Sequence, residues 1–388
     1  MPHTDPAPST TAEGEAASAE MPSRAKTNTG GKRAKPLETR HVFLDTQVYR
    51  AVRHNPANRV LTLLQEQIEA HKIVLHSTDI TLLEVERQIR ETIIASSREL
   101  GKIEKDLVQW RKASEEYGPS APVSFDIDTL AEDVFAKFET FIKRSCVATV
   151  HAALEIPASV VFASYLRRDP PFHGPESKEF PDGFAFEALS RWCASERERI
   201  YVVTQDGAFL KAAEGHPSML PMKDLHGVLT SAAADLDEEV DSETIADATL
   251  DGQDFDGSFV AAMRDQIREV VFVYAGGLAE GEAYQGELVS IEQIDGWSVV
   301  GLSAERITLI LEALVTVRVE VQYQDREGAI YVREDDRWFG AESASADVDE
   351  EVRLQILVDL ERARGRVLDA KVLTSEVTIY GGAPDYEY

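Results

Sequence analysis

The run Val42-Phe43-Leu44-Asp45 limits the fold more than any other stretch of this chain. Its apolar residues follow one another without polar alternation, which suits a strand buried on both faces of a parallel sheet. The run stops on an acid, and an acid directly after a buried strand seldom serves packing. Lys72-Ile73-Val74-Leu75-His76 and Ile200-Tyr201-Val202-Val203-Thr204 read as further strands. Between the first two, Val60, Leu61, Leu64 and Ile68 fall at helical spacing, giving one βαβ unit. Helical patterns follow from Leu82 toward Trp110, over 130–150 and 156–166, from Asp182 through Trp192, and from Gly207 to Ala213. This alternation predicts an α/β sandwich with a mostly parallel sheet and helices on both faces.

Residues 1–38 are rich in Pro, Ser, Thr, Ala and Gly, the composition of a disordered arm, and basic residues cluster toward its end. The α/β domain is expected over 39–230, followed by an acidic linker over 231–257. From Asp235 to Asp256 there are ten acidic residues and no basic one. Residues 258–388 should form a smaller α+β or mainly β domain. There Val315, Val317, Val319, Val321 and Tyr323 alternate with Thr316, Arg318, Glu320 and Gln322, the pattern of an antiparallel strand with one wet face.

The formal charge of −29 opposes nucleic-acid binding in general, because Lys and Arg supply most affinity for phosphate. Much of that excess lies in the linker and the C-terminal third, where it reads as solvated surface. No stretch approaches the ~18 consecutive apolar residues of a membrane span. The two cysteines, Cys146 and Cys193, sit in apolar helical patterns and fit a reducing cytoplasm, without a disulfide framework or a cysteine zinc site. His41, His76, His173 and His216 lack ligand spacing, so no zinc is assigned.

In an open parallel sheet, ligands bind beyond the carboxyl ends of the strands. Asp45 and Asp206 stand there, Glu84 lies in the first turns of the helix after the second strand, and Asp182 follows Pro181 at a helix start. Carboxylates brought together repel unless a cation sits among them, and Mg²⁺ or Mn²⁺, which prefer oxygen ligands, would fill that role. Such a site supports metal-assisted displacement at phosphorus and needs no side-chain nucleophile. Taken singly, Asp182 and Asp206 also read as helix caps and Glu84 as one of many helix acids. Thr46, Lys178 and Lys211 are candidates for touching substrate, with a local turn bond or plain surface charge as the competing readings.

The segments Val42-Phe43-Leu44-Asp45-Thr46 with Tyr49, Leu83-Glu84-Val85, Glu179-Phe180-Pro181-Asp182, and Val202 through Phe209 resemble, in this order, the PIN domain family, in a bacterial branch of it. The resemblance spans about 40–230. It implies that Asp45, Glu84, Asp182 and Asp206 bind Mg²⁺ or Mn²⁺ and that the protein is a hydrolase, a nuclease that cleaves RNA, mostly single-stranded, in RNA processing, as a toxin or in defence. Two features depart from the family's pattern: the insertion between Glu84 and Asp182 is long enough for a lid or a homodimer surface, and Gly183 stands where a better helix former is expected. A non-catalytic scaffold on a degenerate PIN domain is the alternative, and the C-terminal domain is open to a protein partner.

Overall fold

The structure, a computed structural model, describes residues 35–113, 126–145, 150–172, 180–234, 246, 250, 255–303, 305–332 and 337–382. Its N-terminal half is built on a five-stranded parallel sheet of β1 (His41–Leu44), β2 (Val74–Thr78), β3 (Val150–His151), β4 (Ile200–Val203) and β5 (Met219–Met222), in the order β3-β2-β1-β4-β5. The central β1 is flanked on both sides, which is why its sequence has no polar alternation.

Around it lie α1 (Thr46–Ala51), α2 (Arg59–Glu69), α3 (Asp79–Ala113), α4 (Ile127–Ser145), α5 (Ala158–Arg167), α6 (Phe180–Glu196), α7 (Gly207–Glu214) and α8 (Leu225–Ala234). Val42 and Leu44 point to one face and pack with Leu61 and Leu64 of α2, Val85 of α3 and Phe138 of α4. Phe43 points to the other, against Leu189 and Cys193 of α6 and Phe209 of α7. Each such fully buried side chain stabilises the fold by about 1.5–3 kcal/mol.

The insertion differs in detail from the sequence reading. The helix expected over 130–150 is α4, which ends at Ser145, and Val150–His151 turn back into the sheet beside β2 as a strand. Strand β5 was not expected, because its Met-Leu-Pro-Met sequence has no β-branched residue to mark it. Helix α4 is core rather than lid: Phe138 meets the ring of Tyr49 edge-on at 5.0 Å.

On the α6 face, His41, His76 and His151 come from three adjacent strands and form a hydrogen-bonded chain. His41 Nδ1 lies 2.9 Å from His76 Nε2, and His76 Nδ1 lies 2.9 Å from His151 Nε2. Trp192 of α6 packs its ring against all three.

The C-terminal half is mainly antiparallel β, as its alternation indicates. It contains α9 (Phe255–Ile267), β6 (Val271–Tyr274), β7 (Glu282–Leu302), β8 (Arg306–Asp325), β9 (Ile330–Val332), β10 (Arg337–Phe339), β11 (Glu342–Glu361), β12 (Val367–Val372) and β13 (Glu376–Ile379). Strands β12-β11-β8-β7 form one sheet, β6 and β13 pair in parallel, and β9-β10 is a hairpin between β8 and β11. Val315, Val317, Val319 and Val321 are fully buried, in one core with Phe259, Met263 and Ile267 of α9. Ala246 and Leu250 join that core, while the rest of the acidic stretch 235–254 lies outside the described residues.

Alternation fails at one end of this sheet, for a physical reason. Val300, Ile310 and Leu357 belong to the N-terminal core, because α2 and α8 cover the second sheet face there. Asp359, also buried on that face, accepts hydrogen bonds from Arg59 of α2 (3.2 Å to each of its oxygens), Arg306 (3.2 Å) and Thr308 (2.5 Å). A Cβ on Gly301 would lie 3.6 Å from Leu63 of α2, so the two halves approach closely.

Candidate active site at the carboxyl edge of the parallel sheet

Asp45 leaves β1 and caps α1, with its backbone N–H donating to Val203 O at 3.0 Å. Its side chain is buried and anchored by three donors. Oδ1 accepts from the N–H of Thr46 (2.6 Å) and its hydroxyl (3.2 Å), and Oδ2 accepts from the Thr204 hydroxyl at 2.7 Å. Burial pushes the Asp45 carboxyl above the usual carboxylate range, the three hydrogen bonds pull it back, and the charge of Asp206 adds to the rise.

Asp206 leaves β4 in the same way. Its Oδ1 accepts from the N–H groups of Ala208 and Phe209, both at 2.8 Å, and so caps α7. The capping reading is therefore correct for Asp206, but Oδ2 is not used by it. Glu84, half-buried in the second turn of α3, is raised first by burial and then by the charge of Asp45, against a weak pull from Arg87 at 3.8 Å. Asp45 thus lies within the electrostatic reach of both other acids.

Asp182 is half-buried in the first turn of α6, inside the helix rather than at its cap. That helix packs on α3 and α7, the helices that carry Glu84 and follow Asp206. Gly183 has a packing cause: a Cβ there would sit 2.5 Å from the ring of Phe172 and 3.1 Å from Val161 of α5. The first turn of α6 is pressed against the insertion, and only glycine leaves the room.

The substrate candidates fare differently. Both donors of Thr46 are occupied by Asp45, so the local bond is the one present. Lys211 is exposed on α7, and Lys178, His173 and Cys146 lie outside the described residues. Arg167 and Arg191 pair with their neighbours Asp169 and Glu187, in line with surface charge. Cys193 is buried, and burial pushes its thiol up to about 11, so it is inert packing. The residue that sequence reasoning missed is Thr204, whose hydroxyl binds Asp45 Oδ2 and also accepts from the N–H of Asp206 at 3.0 Å. Its signal was present as a polar residue closing a buried strand two positions before an acid.

Among the described residues, no group of three or more His, Cys, Asp or Glu side chains is gathered closely enough to hold a metal ion. The donor chemistry nevertheless suits a hard cation. Asp45, Glu84 and Asp206 offer only carboxylate oxygens, the cap of α7 uses Oδ1 of Asp206 and not Oδ2, and burial raises the carboxyls of Asp45 and Glu84, the latter only partly offset by Arg87.

A parallel α/β sheet with acids at the carboxyl ends of adjacent strands defines a class of domain suited to phosphoryl chemistry. The family model for the PIN domain matches residues 42–209, and PIN domains are generally metal-dependent nucleases. No curated protein and no solved structure matches the chain. No helix among the described residues is long and apolar enough to cross a membrane.

Proposed function

We propose that the protein is a metal-dependent ribonuclease that hydrolyses internal phosphodiester bonds of single-stranded RNA in the cytoplasm. The observation that carries this reading is the buried Asp45 carboxyl, fixed by three donors and placed within the field of both Glu84 and Asp206. Asp45, Glu84 and Asp206 would hold Mg²⁺ or Mn²⁺, with Asp182 approaching from α6. Bound there, the ion supplies a water of lowered pKa and a counter-charge for the attacking and leaving oxygens. Thr46 and Thr204 fix the Asp45 carboxylate, so its orientation needs no reorganisation when substrate arrives. Lys211, and Lys178 ahead of α6 in sequence, would meet the scissile phosphate.

The test is cleavage of single-stranded RNA, duplex RNA and single-stranded DNA with Mn²⁺, by wild type and Asp45→Asn. Cleavage of single-stranded RNA that requires both the metal and Asp45 supports the reading; equal cleavage by the two proteins defeats it. A non-catalytic scaffold is the second reading, favoured by the charge of −29 and by the absence of a ready three-ligand group among the described residues. Calorimetry separates the two, since a scaffold would take up no Mn²⁺ at millimolar concentration.

A further inference from the structure

A cavity of about 710 Å³ lies between the two halves of the molecule, within the size range of pockets that hold small ligands. One wall is the N-terminal half: Val48, Ala51 and Arg53 at and after α1, Gln205, and Lys223 to His226 at the start of α8. The other belongs to the C-terminal half: Gln266 in the last turn of α9, Glu269 just after it, Gln355 of β11, and 371–376. His226 and Gln355 hydrogen-bond across the join.

Its position relative to the acids is fixed by the chain. Gln205 directly precedes Asp206, and α1 runs from Asp45 into the wall, so Ala51 lies about 9 Å along the helix from Asp45. The cavity wall thus adjoins Asp206 in sequence and is joined to Asp45 through α1, although none of the four acids lines it.

Its charge is unusual for this molecule. Arg53, Lys223 and Lys371 balance Asp224, Glu269 and Glu376, giving a neutral lining in a chain of net charge −29. None of the three cations has an ion-pair partner among the described residues, whereas Arg59, Arg306, Arg318 and Arg353 all do. Arg53 is further held at the rim by backbone that bulky residues rarely adopt: Arg53 and His54 both have positive φ, 54° and 53°. Such strain persists where the surroundings over-determine it and is common at ligand sites.

We propose that this interdomain cleft binds the strand of single-stranded RNA leading into the active site, with Lys223 and Lys371 meeting its phosphates and the C-terminal domain forming half the channel. The proposal rests on the nuclease reading for its substrate but not for its test. The lining is mixed, with amides, hydroxyls and cations for a ribose-phosphate chain beside apolar residues such as Val48, Val270 and Leu373, and the volume admits nucleotide-sized units rather than a duplex.

The experiment measures fluorescence anisotropy of a labelled single-stranded RNA 12-mer with the full chain in EDTA, where cleavage is excluded, across a salt series. Lys223→Glu and Lys371→Glu should each weaken binding at least tenfold and reduce the salt slope by about one, while Lys137→Glu on α4 changes neither. Lys371→Gln, which removes charge without reversing it, should give a smaller loss in the same direction, with melting temperatures verifying the fold. Ultraviolet cross-linking to wild type should label peptides containing 223–226 and 371–376. Wild-type affinity in both charge reversals, preference for duplex, or no strand binding by wild type overturns the proposal. Binding through the cleft without Mn²⁺-dependent cleavage would instead leave the cleft standing and defeat the nuclease reading.

Discussion

Acidification should unfold this protein in part through one buried imidazole. His76 is fully buried between His41, His151 and Trp192, and burial, followed by the proximity of His151 and His41, lowers its pKa from 6.5 to about 3. The folded state keeps the ring neutral, whereas the unfolded chain protonates it below 6.5. The stability associated with the neutral ring is therefore intact above that value and is lost as pH falls toward 3. At pH 5 the unfolded state gains about 1.5 pH units of protonation free energy that the folded state cannot match, and at about 1.36 kcal/mol per unit this is about 2 kcal/mol. His41 and His151 are lowered as well, so the total loss is larger. The contribution of His76 is isolated by comparison with His76→Gln, which keeps a donor and an acceptor but does not titrate. Urea unfolding of both proteins at pH 7 and pH 5, followed by tryptophan fluorescence, should show wild type losing about 2 kcal/mol more than the variant. Parallel pH dependence, with a difference below about 0.5 kcal/mol, would refute the reasoning.

Three further outcomes are expected. Asp45→Asn should abolish cleavage yet, without divalent ions, leave the melting temperature unchanged or raised, because the raised carboxyl of Asp45 makes its charge a cost to the fold; a marked fall would contradict this. Gly183→Ala should destabilise by about 1–3 kcal/mol despite a helix-propensity gain of about 1 kcal/mol, since the new methyl meets Phe172 at 2.5 Å, and an increased melting temperature would show that the contact relaxes freely. Arg59→Ala should cost about 1.5–3 kcal/mol by removing two charge-assisted bonds from the buried Asp359, and a double-mutant cycle with Asp359→Asn should show coupling rather than additivity.

The parallel domain was legible because burial on both faces leaves an unbroken apolar run, as in Val42-Phe43-Leu44 and Ile200-Tyr201-Val202-Val203. Strand β3 was not, since two residues are too few for any period, and Val150 continued the helical pattern of α4 on paper. In the C-terminal half the alternation of β8 was plain, yet the burial of Ile310, Leu357 and Asp359 on the opposite face was not, because α2 and α8, which cover them, belong to the other half of the chain. At the site, the positions of Asp45 and Asp206 followed from strand ends. What sequence could not supply was the use of each oxygen: Thr204 as anchor, Thr46 as an internal partner, and one face of Asp206 committed to a cap. The histidine chain was equally invisible, since 35 and 75 residues separate its successive members and only strand adjacency brings the rings together.

The sheet end shared by β7, β8 and β11 bears on whether the N-terminal half is a portable module. Val300, Ile310 and Leu357 fill the same core as Leu61 and Leu63 of α2 and Val228 and Leu229 of α8. A fragment ending near residue 234 would carry that helical surface bare and would retain Arg59 without Asp359. It should aggregate or melt early rather than behave as a free-standing enzyme, so gene fusion or fission at this boundary would need new apolar-to-polar substitutions on α2 and α8 before either piece could survive alone.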